Sequence, residues 1–200
     1  MVCTVPPRLI PTKPAAERAP LVLYSDAEYT PGRTPRVGWV LFRDPPATPL
    51  GFSMLLPDVL TRRWAARRQQ IFPAESVAVP LALAVLAPHL QGRDCLAFCD
   101  NAAAVSSLIR GTSRCTDVLE IAELCTALQL QLAMRLWIDW VDSGSNPADG
   151  LSRDGITDAW TCSQNWSLRE LTGKQCPSLS EDPFFTAQLW VEHWSQHCQW

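Results

Sequence analysis

Two short apolar runs, each closed by an aspartate, constrain the fold of this chain more than any other feature. The first is LVLYSD at residues 21–26, and the second is DCLAFCD at residues 94–100. Apolar runs of this length, bounded by turn-forming residues, are typical of buried strands. A helical pattern separates them, which predicts parallel strands joined by a crossover helix. The sequence therefore indicates an α/β protein in which Asp26 and Asp100 lie at strand ends.

Further strands surround these two in the sequence. Residues 36–43 (RVGWVLFR) and 49–56 (PLGFSMLL) follow the first strand through short connections, so we expect an antiparallel meander. Residues 134–141 (MRLWIDWV) form a last strand, which is reached through two helices. The predicted order is β-β-β-α-β-α-α-β-α, with the first, fourth and fifth strands parallel. This order predicts a mixed five-stranded sheet with helices on its faces.

The helical segments follow from periodicity and from capping residues. The pattern becomes helical from Pro73 to Leu90, and Pro80 inside it is expected to kink the helix because it removes a hydrogen bond. Residues 101–111 predict a short helix ended by glycine, and residues 116–132 predict an amphipathic helix. A last helix is expected from Pro147 onward, with Asn146 as its N-cap.

Composition and charge bound the domain organisation and the class of partner. A chain of 200 residues with 47% hydrophobic content suits one domain with tails. We predict a proline-rich lead-in or linker at residues 1–20, a domain at 21–154, and a tail at 155–200 that contains five of the nine tryptophans. The net charge of −3 argues against binding of nucleic acid by bulk electrostatics, so phosphate contacts must be local.

Neither a membrane segment nor a cysteine-based site is expected. The chain begins without the apolar segment of a signal peptide, and its most apolar run, residues 77–88, is short and interrupted by proline. We therefore expect an intracellular protein, cytoplasmic or nuclear, without a membrane partner. The eight cysteines form no C-x-x-C pair, so we interpret them as reduced thiols.

Four acids occupy positions from which they can converge. Asp26 and Asp100 end parallel strands, and open α/β sheets bind ligands at that edge. Glu75 lies near the start of the crossover helix, and Asp149 lies in the first turn of the last helix, within SNPADGLSR. Each acid alone has an ordinary role in a turn or at a helix N-terminus. Together they predict a site for two Mg²⁺ or Mn²⁺ ions, which supports attack of water on a phosphodiester.

Four segments resemble the ribonuclease H domain of retroelement reverse transcriptases, which has a ribonuclease H-like fold. They are YSDAE with the later GW, QQIFPAES, FCDNAAAVSSLIRG and WIDWVDSGSNPADGLSR, and they cover roughly residues 21–154. The last segment is the most specific, because retrotransposon domains commonly end in a sequence of the N-x-A-D-x-L-S-R type.

This resemblance implies a fold, a set of catalytic residues and a substrate. The implied strand order is 3-2-1-4-5, and the catalytic, metal-binding acids are Asp26, Glu75, Asp100 and Asp149. The substrate would be the RNA strand of an RNA–DNA hybrid. A reverse transcriptase polymerase domain would accompany the chain in a parent polyprotein.

Two other functions remain open. Gly144 aligns with a histidine that helps product leave in many family members, so the chain fits a slow enzyme or an inactive module that binds nucleic acid. Asp26-Ala27-Glu28 also matches the D-x-E start of 3′–5′ exonucleases of the same fold, since Glu28 would face the same side as Asp26. His193 and His197, beside Cys198, lack a third metal ligand at suitable spacing.

Seven polar residues are candidate contacts to nucleic acid. They are Arg62, Arg63, Arg67, Arg68, Asn101, Arg110 and Arg114. The first four surround Trp64 just before the helix that contains Glu75, and they would contact phosphates beside the acids. A solvated basic turn is the alternative for these arginines, and a helix cap is the alternative for Asn101.

Overall fold

The structure is a computed structural model that describes residues 19–172 and 176–197. Its centre is a six-stranded mixed sheet of order β5-β4-β1-β2-β3-β6. The strands are β1 (Leu21–Glu28), β2 (Arg36–Phe42), β3 (Leu50–Leu55), β4 (Asp94–Cys99), β5 (Arg135–Trp140) and β6 (Ser167–Leu171). β1 pairs antiparallel with β2 and parallel with β4, so the predicted α/β class and the predicted meander are confirmed.

The predicted number of strands is wrong by one. The order 3-2-1-4-5 holds for the five expected strands, but the sheet continues beyond β3 with β6, which pairs with β3 in parallel. The sequence of β6, SLREL, has no apolar run, and it lies among the tryptophans of the tail. Pairing with β3 makes it a strand, and this long-range contact leaves no local signal.

Within the described residues, eight helices accompany the sheet. They are α1 (Asp58–Thr61), α2 (Ile71–Val85), α3 (Ala87–Leu90), α4 (Ala102–Arg110), α5 (Thr116–Gln131), α6 (Asp149–Arg153), α7 (Ala159–Ser163) and α8 (Pro183–His197). Two 3-10 turns, Ser143–Ser145 and Gly155–Thr157, flank α6. None of these helices is both long and apolar enough to cross a bilayer.

The crossover helix α2 lies at the centre of the main core. It packs on β1 and β2 and is covered by α4, α5 and α8, so nearly every one of its residues is buried. The indole of Trp39 on β2 donates a hydrogen bond of 2.7 Å to the carbonyl of Ala78. The helix continues through Pro80, whose missing N–H affects only the turn after Glu75. Pro80 therefore leaves the position of Glu75 intact.

The last predicted helix starts later than expected. α6 begins at Asp149 with Ala148 in the N-cap position, and its cap makes no side-chain hydrogen bond. Asn146 instead accepts a hydrogen bond from the backbone N–H of Ala148 and donates one from Nδ2 to the carbonyl of Ser25 on β1. A tertiary contact with β1 therefore replaces the predicted capping role.

The described part of the Trp-rich tail packs on the same sheet and helices. After β6, α8 packs against α5 and α2, with Trp190 and Trp194 buried in the main core. Trp190 Nε1 donates to the carbonyl of Pro177 at 3.0 Å. The rings of His193 and His197 stack at 4.3 Å on α8, and Cys198 lies outside the described residues.

Candidate active site

Asp26 and Asp100 lie next to each other at the carboxyl ends of two paired strands. β1 and β4 run in parallel, and their register extends to the pair of Ser25 with Cys99. Asp26 and Asp100 are the next residues in the two segments, so they occupy adjacent positions at this edge. Asp26 is only 4% exposed, whereas Asp100 is partly exposed.

Glu75 reaches this edge from the helical layer. It lies in the second turn of α2 and is 4% exposed. The thiol of Cys99 donates a hydrogen bond to Oε2 of Glu75 at 3.6 Å, and the backbone N–H of Ala27 also donates to this carboxylate. Cys99 directly precedes Asp100, so these contacts hold Glu75 against the ends of β1 and β4.

Asp149 approaches the cluster from the opposite face of the sheet. It is the first residue of α6, its side chain is 28% exposed, and Arg153 forms an ion pair with it at 2.7 Å. Burial raises the pKa of Asp149, Arg153 lowers it, and the charges of Asp100 and Asp158 raise it again. The charge of Asp100 contributes to the raised pKa of Asp149, so the two carboxylates are near enough to repel each other.

Two of the four acids are strongly desolvated. Burial raises the pKa of Asp26 to about 7, although the hydroxyl of Ser152 lowers it, and the charges of Asp100 and Asp149 add to the rise. Burial also raises the pKa of Glu75 well above its usual value, followed by the charges of Asp26 and Asp100. Near neutral pH, such a cluster is stabilised by taking up protons or a cation.

The carboxylate oxygens beside the Cys99 thiol suit a divalent cation. Single ligand atoms of Glu75, Cys99 and Asp100 all lie within 4.8 Å of one another. Across residues 19–172 and 176–197, no basic side chain forms an ion pair with Asp26, Glu75 or Asp100. Desolvated carboxylate oxygens without basic partners fit hard cations such as Mg²⁺ or Mn²⁺.

Two neutral residues hold Asp26 in position. The hydroxyl of Ser152 donates a hydrogen bond to Oδ2 of Asp26. Asn146, which is 5% exposed, donates from Nδ2 to Oδ1 of Asp26 at 3.5 Å. Both belong to SNPADGLSR and flank Asp149 symmetrically in sequence, so the motif itself contained the signal.

A glycine on β2 allows α6 to approach the acids. Gly38 pairs with Asp26 in the β1–β2 ladder. A Cβ atom at this position would lie 2.6 Å from the backbone nitrogen of Ser152 and 2.7 Å from the carbonyl oxygen of Ala148. Any larger residue at position 38 would push α6 away from the sheet, and Asp149 would move with it.

Some of the predicted nucleic-acid contacts are engaged within the protein. Arg67 forms an ion pair of 2.6 Å with Asp117, whose side chain is 3% exposed. Arg63 donates to the carbonyl of Leu179 at 2.7 Å and pairs with Glu120 at 3.2 Å. These bonds give both arginines a structural role.

Asn101 acts as a helix cap. It accepts hydrogen bonds of 3.1 Å from the backbone N–H groups of Ala103 and Ala104, two of the free donors in the first turn of α4. The remaining four arginines are exposed: Arg62 and Arg68 precede α2, Arg110 ends α4, and Arg114 lies between α4 and α5. Arg62 makes an exposed ion pair with Asp58 at 3.2 Å.

Two solved structures resemble this arrangement of strands and helices. RNase H1 from the halophilic archaeon Halobacterium salinarum NRC-1 matches with a TM-score of 0.51 and 20% identity, over 70% of this chain and 100% of that chain. The N-terminal RNase H domain of Rv2228c from Mycobacterium tuberculosis, solved as a fusion with maltose-binding protein, matches with a TM-score of 0.50 and 16% identity, over 72% of this chain and 97% of that chain. The chain has a ribonuclease H-like fold.

The ribonuclease H-like fold is visible in the structure but not in overall sequence similarity. No family model matches the sequence, and no curated protein matches it. At 16% to 20% identity, the two structural matches establish the fold alone. What the site can do depends on the geometry of its own acids.

Proposed function

We propose that the protein is a metal-dependent endoribonuclease of the ribonuclease H type, which hydrolyses the RNA strand of RNA–DNA hybrids. The proposal is supported by Asp26, Glu75 and Asp100 at one edge of the sheet, where Asp26 and Glu75 are buried and have no basic partner among the described residues. The charge of Asp149 nearby adds to the raised pKa of Asp26. A purely structural cluster of this kind would be costly, since like charges in a desolvated site repel each other. Binding of cations removes that cost.

In the proposed mechanism, the protein holds and orients the metal ligands. All four acids would hold the ions, with Asp26 and Asp100 as the central ligands. Ser152 and Asn146 orient Asp26, and the Cys99 thiol orients Glu75. Two divalent ions, when bound, supply an activated water and neutralise charge on the phosphate and the leaving 3′ oxygen.

The proposed context is a retroelement reverse transcriptase polyprotein, with a polymerase domain as neighbour. This proposal is supported by SNPADGLSR, whose Asn146, Asp149 and Ser152 all contact or join the acid cluster. A motif that places three functional positions within seven residues is a specific resemblance. We propose the exposed residues Arg62, Arg68, Arg110 and Arg114 as phosphate contacts to the hybrid, because they are available at the surface.

A direct test uses an RNA–DNA hybrid labelled on the RNA, the purified protein and Mg²⁺. We expect internal cuts in the RNA strand, no cutting of duplex DNA, and loss of activity by more than about 100-fold in Asp100→Asn, which removes a charged ligand. Asp154→Asn is the matched control, since Asp154 is an exposed acid just after α6. The control should retain activity.

The same assay separates the two alternative functions. Stepwise shortening from the RNA 3′ end would identify an exonuclease and would give Glu28 a role beside Asp26. Binding of the hybrid without any cleavage in Mg²⁺ or Mn²⁺ would identify a non-catalytic module. Gly144, in the position of the family's helping histidine, is the feature that favours this second outcome.

A further inference from the structure

A pocket of about 440 Å³ opens beside the acid cluster. Some of the residues that line it lie outside the segments that resemble ribonuclease H. One wall is the turn that contains Ser143 and Ser145, and Asp149 and Asp158 also line the pocket. Trp160, on α7, completes the lining from a region beyond the matched segments. Its volume lies within the range of about 300–1,000 Å³ found for small-ligand sites.

The walls of this pocket are fixed relative to the acids. Asp158 caps α7 by accepting hydrogen bonds of 2.7 Å from the backbone N–H and the hydroxyl of Thr161. Its carboxylate also packs on Gly150 of α6 so closely that a Cβ atom there would lie 2.4 Å from Asp158 Cγ. α7 is therefore held against the helix that begins with Asp149. On the other side, Asn146 anchors the turn to β1.

The indole of Trp160 packs against another aromatic ring and is also half-exposed to solvent. Its ring meets that of Trp166 edge to face at 5.5 Å, and Trp166 meets Phe42 of β2 in the same way at 5.6 Å. This row of aromatic rings connects the indole to the sheet, yet Trp160 remains 52% exposed. A large aromatic side chain kept half-exposed next to a polar pocket is a ready stacking surface.

The chemistry of the lining favours a nucleobase over a phosphate. No lysine, arginine or histidine is among the residues that line the pocket, whereas two carboxylates are, so an anion would be repelled. Serine hydroxyls and carboxylates offer hydrogen bonds to the N–H and hydroxyl groups of a nucleoside. The exposed indole offers a surface for stacking, which is tolerant of base identity.

We propose that this pocket receives the base of one unpaired nucleotide next to the hybrid, stacked on Trp160, while the phosphates of that nucleotide stay outside. The proposal rests on the function proposed above, because Asp149 belongs to both sites. A base inside a duplex is already paired and stacked, so only an unpaired base enters such a pocket without a cost in pairing energy. The enzyme would therefore prefer hybrids that continue into a single-stranded flank.

The first experiment compares two hybrids with the same paired sequence, one blunt and one with a single-stranded flank. We expect the wild-type protein to cleave the flanked hybrid with a KM about tenfold lower, in line with the stacking of one base. Trp160→Ala should abolish this preference, and Trp160→Phe should retain most of it. Trp137→Ala is the matched control, because Trp137 is 66% exposed on β5 and does not line the pocket.

The second experiment measures binding without catalysis. A 2-aminopurine in the single-stranded flank reports stacking through quenching of its fluorescence, and the measurement is made in EDTA. Wild type, Trp160→Phe and Trp137→Ala should quench the probe, whereas Trp160→Ala should not. Thermal melting followed by circular dichroism shows that each variant is folded.

The outcomes separate the failure of the subsite from the failure of the enzyme. Cleavage with equal KM for both hybrids, or quenching that persists in Trp160→Ala, would refute the nucleotide pocket and leave the hydrolase intact. Quenching that depends on position 160, without cleavage of any hybrid, would refute the hydrolase and support a nucleotide-binding pocket on a non-catalytic module.

Discussion

The hydroxyl of Ser152 on α6 donates a hydrogen bond to the carboxylate of Asp26 on β1. This bond joins the helix that contains Asp149 to the strand that contains Asp26, so Ser152 helps to set the distance between the two acids. It also favours the ionised form of Asp26, and it therefore lowers the pKa of Asp26, which burial raises.

Replacing Ser152 should therefore change the pH dependence of the reaction. In Ser152→Ala, the pKa of Asp26 rises further, so the ionised form needed to bind metal appears only at higher pH. A hydrogen bond to a charged group is worth about 1.5–3 kcal/mol, which predicts a shift of about one pH unit or more in the acidic limb of the pH–rate profile. Ser195→Ala on α8, which replaces an exposed serine, should leave the profile unchanged. An unshifted profile in Ser152→Ala would contradict the role given to this bond.

Asp26 should destabilise the metal-free protein at alkaline pH. Its pKa is about 7 in the folded protein and 3.8 without the effect of the fold, so the folded state binds the proton more tightly. Stability from this group is complete below about pH 4 and is lost as the pH rises through about 7. In EDTA, Asp26→Asn should therefore raise the free energy of unfolding at pH 8 by up to about 4 kcal/mol, with little change at pH 4. Urea unfolding at the two pH values measures this, and equal effects at both would contradict it.

Divalent ions should offset the same repulsion. At pH 8, Mg²⁺ or Mn²⁺ should raise the Tm of the wild-type protein, since a ligand that binds only the folded state stabilises it by about 2.7 kcal/mol at 100 times its Kd. The increase should be much smaller in Asp26→Asn or Asp100→Asn. Asp139→Asn, on the exposed part of β5, serves as the control and should respond like wild type. If neither Mg²⁺ nor Mn²⁺ changes the Tm of the wild-type protein, the result would argue against the metal site.

Replacing Arg67 and replacing its neighbour Arg68 should have different effects on stability and on binding of the hybrid. Arg67→Ala leaves the carboxylate of Asp117 buried without its partner, so we expect destabilisation of about 3–5 kcal/mol. Arg68→Ala, at an exposed position, should change stability by less than about 0.5 kcal/mol. If Arg68 contacts a phosphate, the same change should lower the slope of log K against log salt by about one. Urea unfolding and hybrid binding at several salt concentrations test both variants, and an unchanged slope would remove Arg68 from the interface.

The order of the first five strands was predictable because each one depends on local patterns. Runs such as LVLYSD and the helical period after Pro73 define elements without reference to the rest of the chain. β6 was not predictable in this way, since Arg169 and Glu170 interrupt its five residues and only β3 makes it a strand. The sequence thus indicated the strands with an apolar run and missed the one held by a neighbour.

The adjacency of Asp26 and Asp100 was predictable from strand order, but the hydrogen bonds that hold Asp26 were not. Ser152 and Asn146 lie in the same motif as Asp149, yet their hydrogen bonds to Asp26 and Ser25 appear only when α6 packs on β2. Likewise, the ion pair between Arg67 and Asp117 of α5 joins residues 50 positions apart in the sequence. Hydrogen bonds and ion pairs between polar side chains far apart in the sequence produce no periodic pattern of residues, so they cannot be inferred from the sequence alone.

The place of β6 in the sheet has a practical consequence for anyone who shortens this protein. A fragment that stops at Asp154, where the predicted domain ends, would leave the outer side of β3 with unsatisfied backbone N–H and C=O groups. Bare strands of this kind recruit other chains and lead to self-association. A recombinant fragment that stays monomeric therefore needs to extend past Leu171, so that β6 covers the edge of β3 and prevents aggregation through it.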